Sequence, residues 1–167
     1  RQDELRRLRR AVDSDSTTGI AYAFGPPGTG KTLCAQLAAD QLSPAGHSRH
    51  AYINCWRNYE RIDVLYRVAE DLCDSPVHRS STGRSELINM IDGLDDAERW
   101  VICDEADQLH DKAVLYDLYE SDLNLILIGN SEDDFFDGMT DRLRSRLIVG
   151  TRIQFNAYSA AEISAIL

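Results

Sequence analysis

Apolar positions recur along this chain in two alternating rhythms. Residues 3–12 set Leu5, Leu8 and Val12 on one face, which predicts an amphipathic helix. The polar run DSDSTTG breaks it. The short apolar run IAYAF (20–24) then reads as a strand, because a glycine-rich turn ends it. Residues 32–42 carry Leu33, Gln36, Leu37 and Leu42 at helical spacing, SPAGHSRH is a loop, and AYINCW (51–56) is a second strand. Ile62, Leu65, Tyr66, Ala69 and Leu72 recur at three and four and mark the next helix. DSPVHRSSTGR is a loop and residues 85–94 a short helix. WVICDE (100–105) is a strand ending in acids, and residues 111–119 are helical. LNLILIGN (123–130) is continuously apolar, as expected of a strand covered by helices on both faces. After a turn at SEDDFFDGMT, TRIQF (151–155) is the fifth strand. Strands alternating with helices predict an α/β fold built on a parallel sheet.

The last rhythm is cut short. Ser159 stands three residues before Glu162, the capping-box spacing, and Ile163, Ile166 and Leu167 form the apolar face of a new helix. The expected division is a core over residues 1–157 and the start of a further helical unit over residues 158–167. The chain opens RQDELRRLRR without an initiator Met, so it reads as a piece of a longer protein.

Composition narrows the class. A length of 167 residues with 43% hydrophobic content suits one domain, or one domain plus a fragment of a second. No apolar run approaches the roughly 20 residues that span a bilayer, and no signal-peptide pattern is present. Cys34, Cys55, Cys73 and Cys103 are widely spaced among apolar neighbours, which reads as reduced thiols in a cytoplasmic protein. His47 and His50 fall in the expected loop without further ligands nearby, a weak basis for a metal site. The net charge is −10, and residues 95–137 hold fourteen acids against two bases. Only Lys31 and Lys112 are lysine. A Lys-poor, acid-rich surface fits a salt-adapted cytosol and repels DNA phosphates in general. Nucleic acid would then bind at a local basic patch, or through parts of the protein outside this chain.

Two stretches carry chemistry. GPPGTGKT, running Gly25, Pro26, Pro27, Gly28, Thr29, Gly30, Lys31, Thr32, follows a strand and opens a helix, the context a phosphate-binding loop requires. Its glycines let backbone N–H groups turn inward around phosphate oxygens, the two prolines stiffen its entry, and the following helix points its positive end at the same oxygens. Lys31 is placed to reach the β- and γ-phosphates, and the Thr32 hydroxyl to ligate Mg²⁺. WVICDEAD ends a hydrophobic strand on Asp104, suited to hold the Mg²⁺ water shell, with Glu105 next to polarise an attacking water. Asn130 ends the apolar strand LILIGN, where an amide can orient water near a γ-phosphate or simply form a turn.

Taken together these stretches resemble the AAA+ ATPases: Walker A at Gly25 to Thr32, Walker B over residues 101–105, sensor 1 at Asn130, and an arginine-finger box at Ser145 and Arg146. More narrowly, AYINCWRNYERIDVLYRVAEDL, VICDEADQLHDKAVLYDLY and DRLRSRLIVGTRIQFNAYSAAEI resemble the archaeal origin-recognition and replication-initiator branch (cell division control protein 6-like), with a halophilic composition. The resemblance implies a three-layer P-loop NTPase sandwich whose five parallel strands run 5-1-4-3-2. It also implies ATP/ADP and Mg²⁺ as cofactors, origin double-stranded DNA as partner, and contact with self or paralogue subunits through the finger. An initiator-specific helical insertion after the second strand is implied as well, best matched by the helix around residues 61–72. Arg57, Arg61 and Arg67 then become candidate DNA contacts, or else a solvated helix face paired with Glu60, Asp63, Glu70 and Asp71. The helical lid and winged-helix domain of the family would follow Ser159.

Three arginines crowd DRLRSRL (141–147). Arg146, after Ser145, is the finger candidate, reaching a neighbour's γ-phosphate in trans. A helix-end cluster of salt bridges is the plainer reading, and Arg142 and Arg144 are expected to pair with local acids. The functional readings are an ATPase, an ATP-loaded DNA-binding switch with little hydrolysis, and another member of the wider family such as a clamp-loader subunit or a transposition-associated ATPase.

Overall fold

The computed structural model describes residues 2–12, 19–41, 50–94 and 99–158. Five strands, β1 (Ile20–Phe24), β2 (His50–Asn54), β3 (Trp100–Asp104), β4 (Asn124–Gly129) and β5 (Thr151–Gln154), form one parallel sheet in the order β2-β3-β4-β1-β5. This is the expected 5-1-4-3-2 order read from the other edge. The helices are α1 (Gln2–Val12), α2 (Lys31–Gln41), α3 (Arg61–Leu72), α4 (Arg84–Asp92), α5 (Ala113–Glu120), α6 (Glu132–Phe136) and α7 (Asp141–Leu147). A 3₁₀ turn, Ala106–Gln108, follows β3.

Strand alternation sorts the core into two layers. On β1, Ile20, Tyr22 and Phe24 point to one side, where α3 to α7 supply Leu65, Leu87, Leu115, Phe135 and Leu147. Ala21 and Ala23 point to the other, against Leu8 and Val12 of α1 and Cys34, Ala35 and Ala38 of α2. Every residue of β1 and β3 is buried, which explains their unbroken apolar runs.

The helix expected over residues 32–42 is α2, and its leucines are not its buried face. Leu33 and Leu37 are exposed, at 60% and 38%, while Cys34, Ala35, Ala38 and Ala39 are buried. The inward face is small, packing over Ala21 and Ala23 of β1 and over Ile102, Ile126 and Ile128 of β3 and β4, where leucines would hold the helix farther from the sheet. His50 opens β2 rather than lying in a loop, with Nδ1 3.7 Å from Asp40. β2 stops at Asn54, so Trp56 sits in the following turn, 65% exposed. The expected turn at residues 131–140 contains α6, capped by the Ser131 hydroxyl, which accepts from the Asp134 N–H. Phe135 and Phe136 of α6 are buried against Tyr22. The segment DRLRSRL is a whole helix, α7, with Thr140 as its cap. The helix expected from Ser159 onward, and the loop residue His47, lie outside the described residues.

From the middle of β1, Tyr22 donates its hydroxyl to the Leu147 carbonyl. Arg152 lies over the Tyr22 ring, donates to the carbonyls of Ile148 and Gly150 at 2.9 and 3.0 Å, and pairs with Glu132. A guanidinium at the last carbonyls of α7 complements the negative end of that helix. Gly150 is needed there: a Cβ would meet the Tyr22 ring at 2.5 Å.

Candidate nucleotide site

The cradle is built by three strand ends. Gly25 leaves β1 at φ 153°, and a Cβ on it would lie 2.0 Å from the Phe155 carbonyl oxygen. This glycine is demanded by the exit of β5 as well as by any ligand. Gly28 and Gly30 have φ 74° and 84°, and a Cβ at Gly28 would meet nothing within 4 Å, so the loop's outer side is open. The Thr29 hydroxyl donates to the Pro26 carbonyl at 2.8 Å and locks the turn. Among the described residues, the backbone N–H groups of Gly28 through Thr32 meet no acceptor. An arc of unmet donors at the start of α2 is a phosphate-binding arrangement.

Lys31 is buried, and its Nζ donates to the carbonyls of Gly25 and Pro26 at 2.6 and 2.8 Å. Burial pushes its pKa down, opposed by the charges of Asp104, Asp107 and Glu105. The two carbonyls occupy donors that phosphate oxygens would take. Thr32 Oγ1 donates to Asp104 Oδ2 at 2.7 Å, joining loop and strand across 72 residues of chain. Tyr52 donates to the same oxygen at 2.8 Å, and the Glu105 N–H donates to the other at 3.0 Å. Tyr52 was not foreseen. It reaches Asp104 because β2 and β3 run in register, with Asn54 opposite Asp104. The period-2 alternation of AYINCW was the available signal. Burial, then the bond to Asp104, pushes its phenol up to about 12.

Glu105 is exposed just past β3 with φ 54°, and Asn130 is exposed just past β4. Both stand at the carboxyl ends of their strands, beside the loop that follows β1. This is where open parallel sheets bind ligands. The donor set fits a polyphosphate: open N–H groups, one buried ammonium, and a hydroxyl–carboxylate pair of hard oxygens suited to Mg²⁺. When bound, the ion would supply charge neutralisation at the phosphates.

The arginines divide differently from expectation. Arg61 forms a two-pronged bond to Asp117 of α5, at 2.7 and 2.6 Å, and a third bond to Asp111 at 3.1 Å. Neither acid was among its foreseen partners, which lie on or beside its own helix, and its fork is committed to tying α3 to α5. Arg67 pairs with Asp71 at 3.1 Å and Glu70 at 3.7 Å, the solvated-face arrangement. Arg57 is exposed. Arg142 and Arg144 do not pair with acids among the described residues; Arg144 lies over the Phe136 ring instead. Arg146 lies 5.9 Å from the centre of the Tyr116 ring, in a groove shared with Arg61, Asp117 and Arg142. It is not part of its own cradle. α7 ends beside Tyr22 and leads into β5, whose first residue pairs with Ala21 near the start of β1, whereas the cradle follows the end of β1.

None of the four cysteines is in a disulfide, and no group of His, Cys, Asp and Glu among the described residues could hold a metal by clustering alone. No helix among them is long and apolar enough to cross a membrane.

Comparison with known proteins matches residues 12–134 to the AAA domain. ORC1-type DNA replication protein 1 of Halobacterium salinarum is 39% identical over 166 residues, covering 98% of this chain and 53% of the relative. ORC1-type DNA replication protein 9 of the same organism is 37% identical over 168 residues, covering 99% and 48%. The chain thus spans about half the length of these relatives. Cdc6p from Pyrobaculum aerophilum shares the fold with a TM-score of 0.78 at 19% identity, covering 99% of this chain and 48% of that one. The narrower resemblance to halophilic archaeal replication proteins is borne out by these similarities, and with a phosphate cradle coupled to Asp104 inside the matched span, the chain belongs to the AAA domain family.

Proposed function

We propose that this chain is the ATP-binding and hydrolysing core of a DNA replication initiator that recognises origin DNA. The carrying observation is the 2.7 Å bond from Thr32 to Asp104 beside an arc of open backbone donors. It brings together the groups that hold ATP–Mg²⁺, and leaves Glu105 and Asn130 exposed at the adjoining strand ends. In this reading Gly25 to Thr32 wrap the phosphates, Lys31 exchanges its two carbonyls for β- and γ-oxygens, and Thr32 and Asp104 hold Mg²⁺. Glu105 takes a proton from water as it attacks the γ-phosphorus, Asn130 orients that water, and ADP and phosphate leave. Arg146 serves a neighbouring subunit's nucleotide, which its place away from its own cradle favours. The role in replication rests on the names of the relatives. DNA contact falls to Arg57 within this core and to parts beyond it, with residues 1–157 as the core and residues 158–167 as the start of a lid.

The test is steady-state MgATP turnover beside ATP binding by calorimetry. Glu105→Gln is expected to bind ATP within a few-fold of the parent and to lose at least about a hundredfold in turnover, the lower bound of the usual contribution of a general base. Equal turnover in variant and parent rejects Glu105 as the base. A parent that binds ATP but hydrolyses it more slowly than it leaves DNA is a switch instead.

A further inference from the structure

Asp107 lies in the 3₁₀ turn after β3, outside the roles assigned above. Its Oδ2 accepts from Gln108 Nε2 at 3.1 Å. Its Oδ1 is buried and has no hydrogen-bond partner among the described residues. A buried carboxylate oxygen without a protein donor is uncommon and costly, and is met by water or by a donor that turns toward it.

The direction of Oδ1 identifies that donor. It faces the end of β4, where a Cβ on Gly129 would sit 3.4 Å away. The next residue is Asn130, exposed and without a side-chain bond among the described residues. Its carboxamide carries two N–H donors, of which one suffices for Oδ1. The two lysines on which the charge of Asp107 acts are engaged elsewhere. Lys31 is held by the carbonyls of Gly25 and Pro26. Lys112 donates to the carbonyls of Phe135, Asp134 and Asp137 at 2.6, 3.4 and 3.3 Å, closing the end of α6. These are the only two lysines in the sequence, and the charge of Asp107 acts on both. The segment after Asn130 is therefore pinned by Lys112 at one end, while Asn130 itself has an open acceptor beside it.

We propose that Asp107 is a positioning residue for hydrolysis, its Oδ1 accepting one N–H of Asn130 and so aiming the rest of that carboxamide at the γ-phosphate end of the cradle. This rests on the ATPase reading above.

The experiment is a double-mutant cycle in MgATP turnover, using Asp107→Ala, Asn130→Ala and the pair in the full chain, with ATP affinity measured alongside. Asp107→Ala is expected to lower kcat about ten- to a hundredfold, as small misplacements do, with ATP affinity nearly unchanged. The double variant is expected to be no slower than Asn130→Ala alone. Losses that multiply overturn the proposal, as does a kcat unaffected by Asp107→Ala. Should Asp107→Ala not fold, Asp107→Asn replaces it in the same cycle, and multiplied losses are again fatal. A parent chain without any turnover overturns the ATPase reading, and this one with it; a parent that turns over while the cycle fails overturns this one alone.

Discussion

Glu105 is held at φ 54° and ψ 45°, a left-handed backbone that costs a non-glycine residue about 1 kcal/mol or more. The strain turns the chain out of β3 just after Asp104, so that successive carboxylates take different surroundings. Asp104 faces the α2 layer and receives Thr32, Tyr52 and the Glu105 N–H, whereas Glu105 is left exposed. The meeting of Thr32 with Asp104 beside Lys31 was legible in the sequence because phosphate and metal chemistry asks for those residue types at that spacing. The surroundings of Tyr52 and Asp107 were not, because they depend on which strand lies beside which. Tyr52 offers a pH test. Its phenol is raised to about 12 from an ordinary value of 10.0, so its contribution is complete below pH 10 and is lost as pH rises from 10 to 12. The urea midpoint of the parent should fall more steeply over that window than that of Tyr52→Phe; parallel slopes reject the assignment.

Among the elements, α2 and the pair α3 and α5 show what periodicity leaves open. Leucine spacing marks α2 as a helix but not its buried face, which is the small Cys34, Ala35, Ala38 and Ala39 set packed over Ala21, Ala23, Ile102, Ile126 and Ile128. Arg61 shows a similar limit. Its neighbours in sequence suggest partners on the same helix, but α3 lies against α5 and Asp117 takes the guanidinium with two bonds. The side chains of Arg61 and Asp117 are only 21% and 12% exposed, so removing one leaves the other poorly solvated. Arg61→Ala is expected to cost about 1–3 kcal/mol in urea unfolding, and Asp117→Ala on that background should add little. Full additivity of the two losses argues against a shared bond.

At the scale of the whole molecule, Arg146 lies over Tyr116 of α5 in a groove with Arg61 and Asp117 and not among the residues of the cradle, so the proposed finger would act on a second copy of the domain. Turnover per chain should therefore rise with concentration in the parent. Arg146→Ala should bind ATP normally yet fail to stimulate a partner whose own finger is intact but whose cradle awaits it. Unchanged stimulation on mixing rejects the trans role, and loss of DNA binding with unchanged turnover assigns Arg146 to nucleic acid instead. The net charge of −10 sets the background for such tests, since general repulsion of phosphates would confine the proposed DNA contact to local cations such as Arg57, and affinity would fall with salt only as steeply as those few contacts allow.

By itself the sequence determined the alternation of strands and helices, the phosphate loop, the Asp104–Glu105 pair and the Asn130 strand end. Each depends on local rules: side-chain period, turn glycines, and the short reach of side chains near a strand's end. Only the tertiary structure decided which face of α2 is buried, that Arg61 belongs to Asp117, that Tyr52 joins Asp104, and that one oxygen of Asp107 lacks a donor. Those outcomes depend on the strand order β2-β3-β4-β1-β5 and on helices crossing over it, which bring residues together that no local spacing relates.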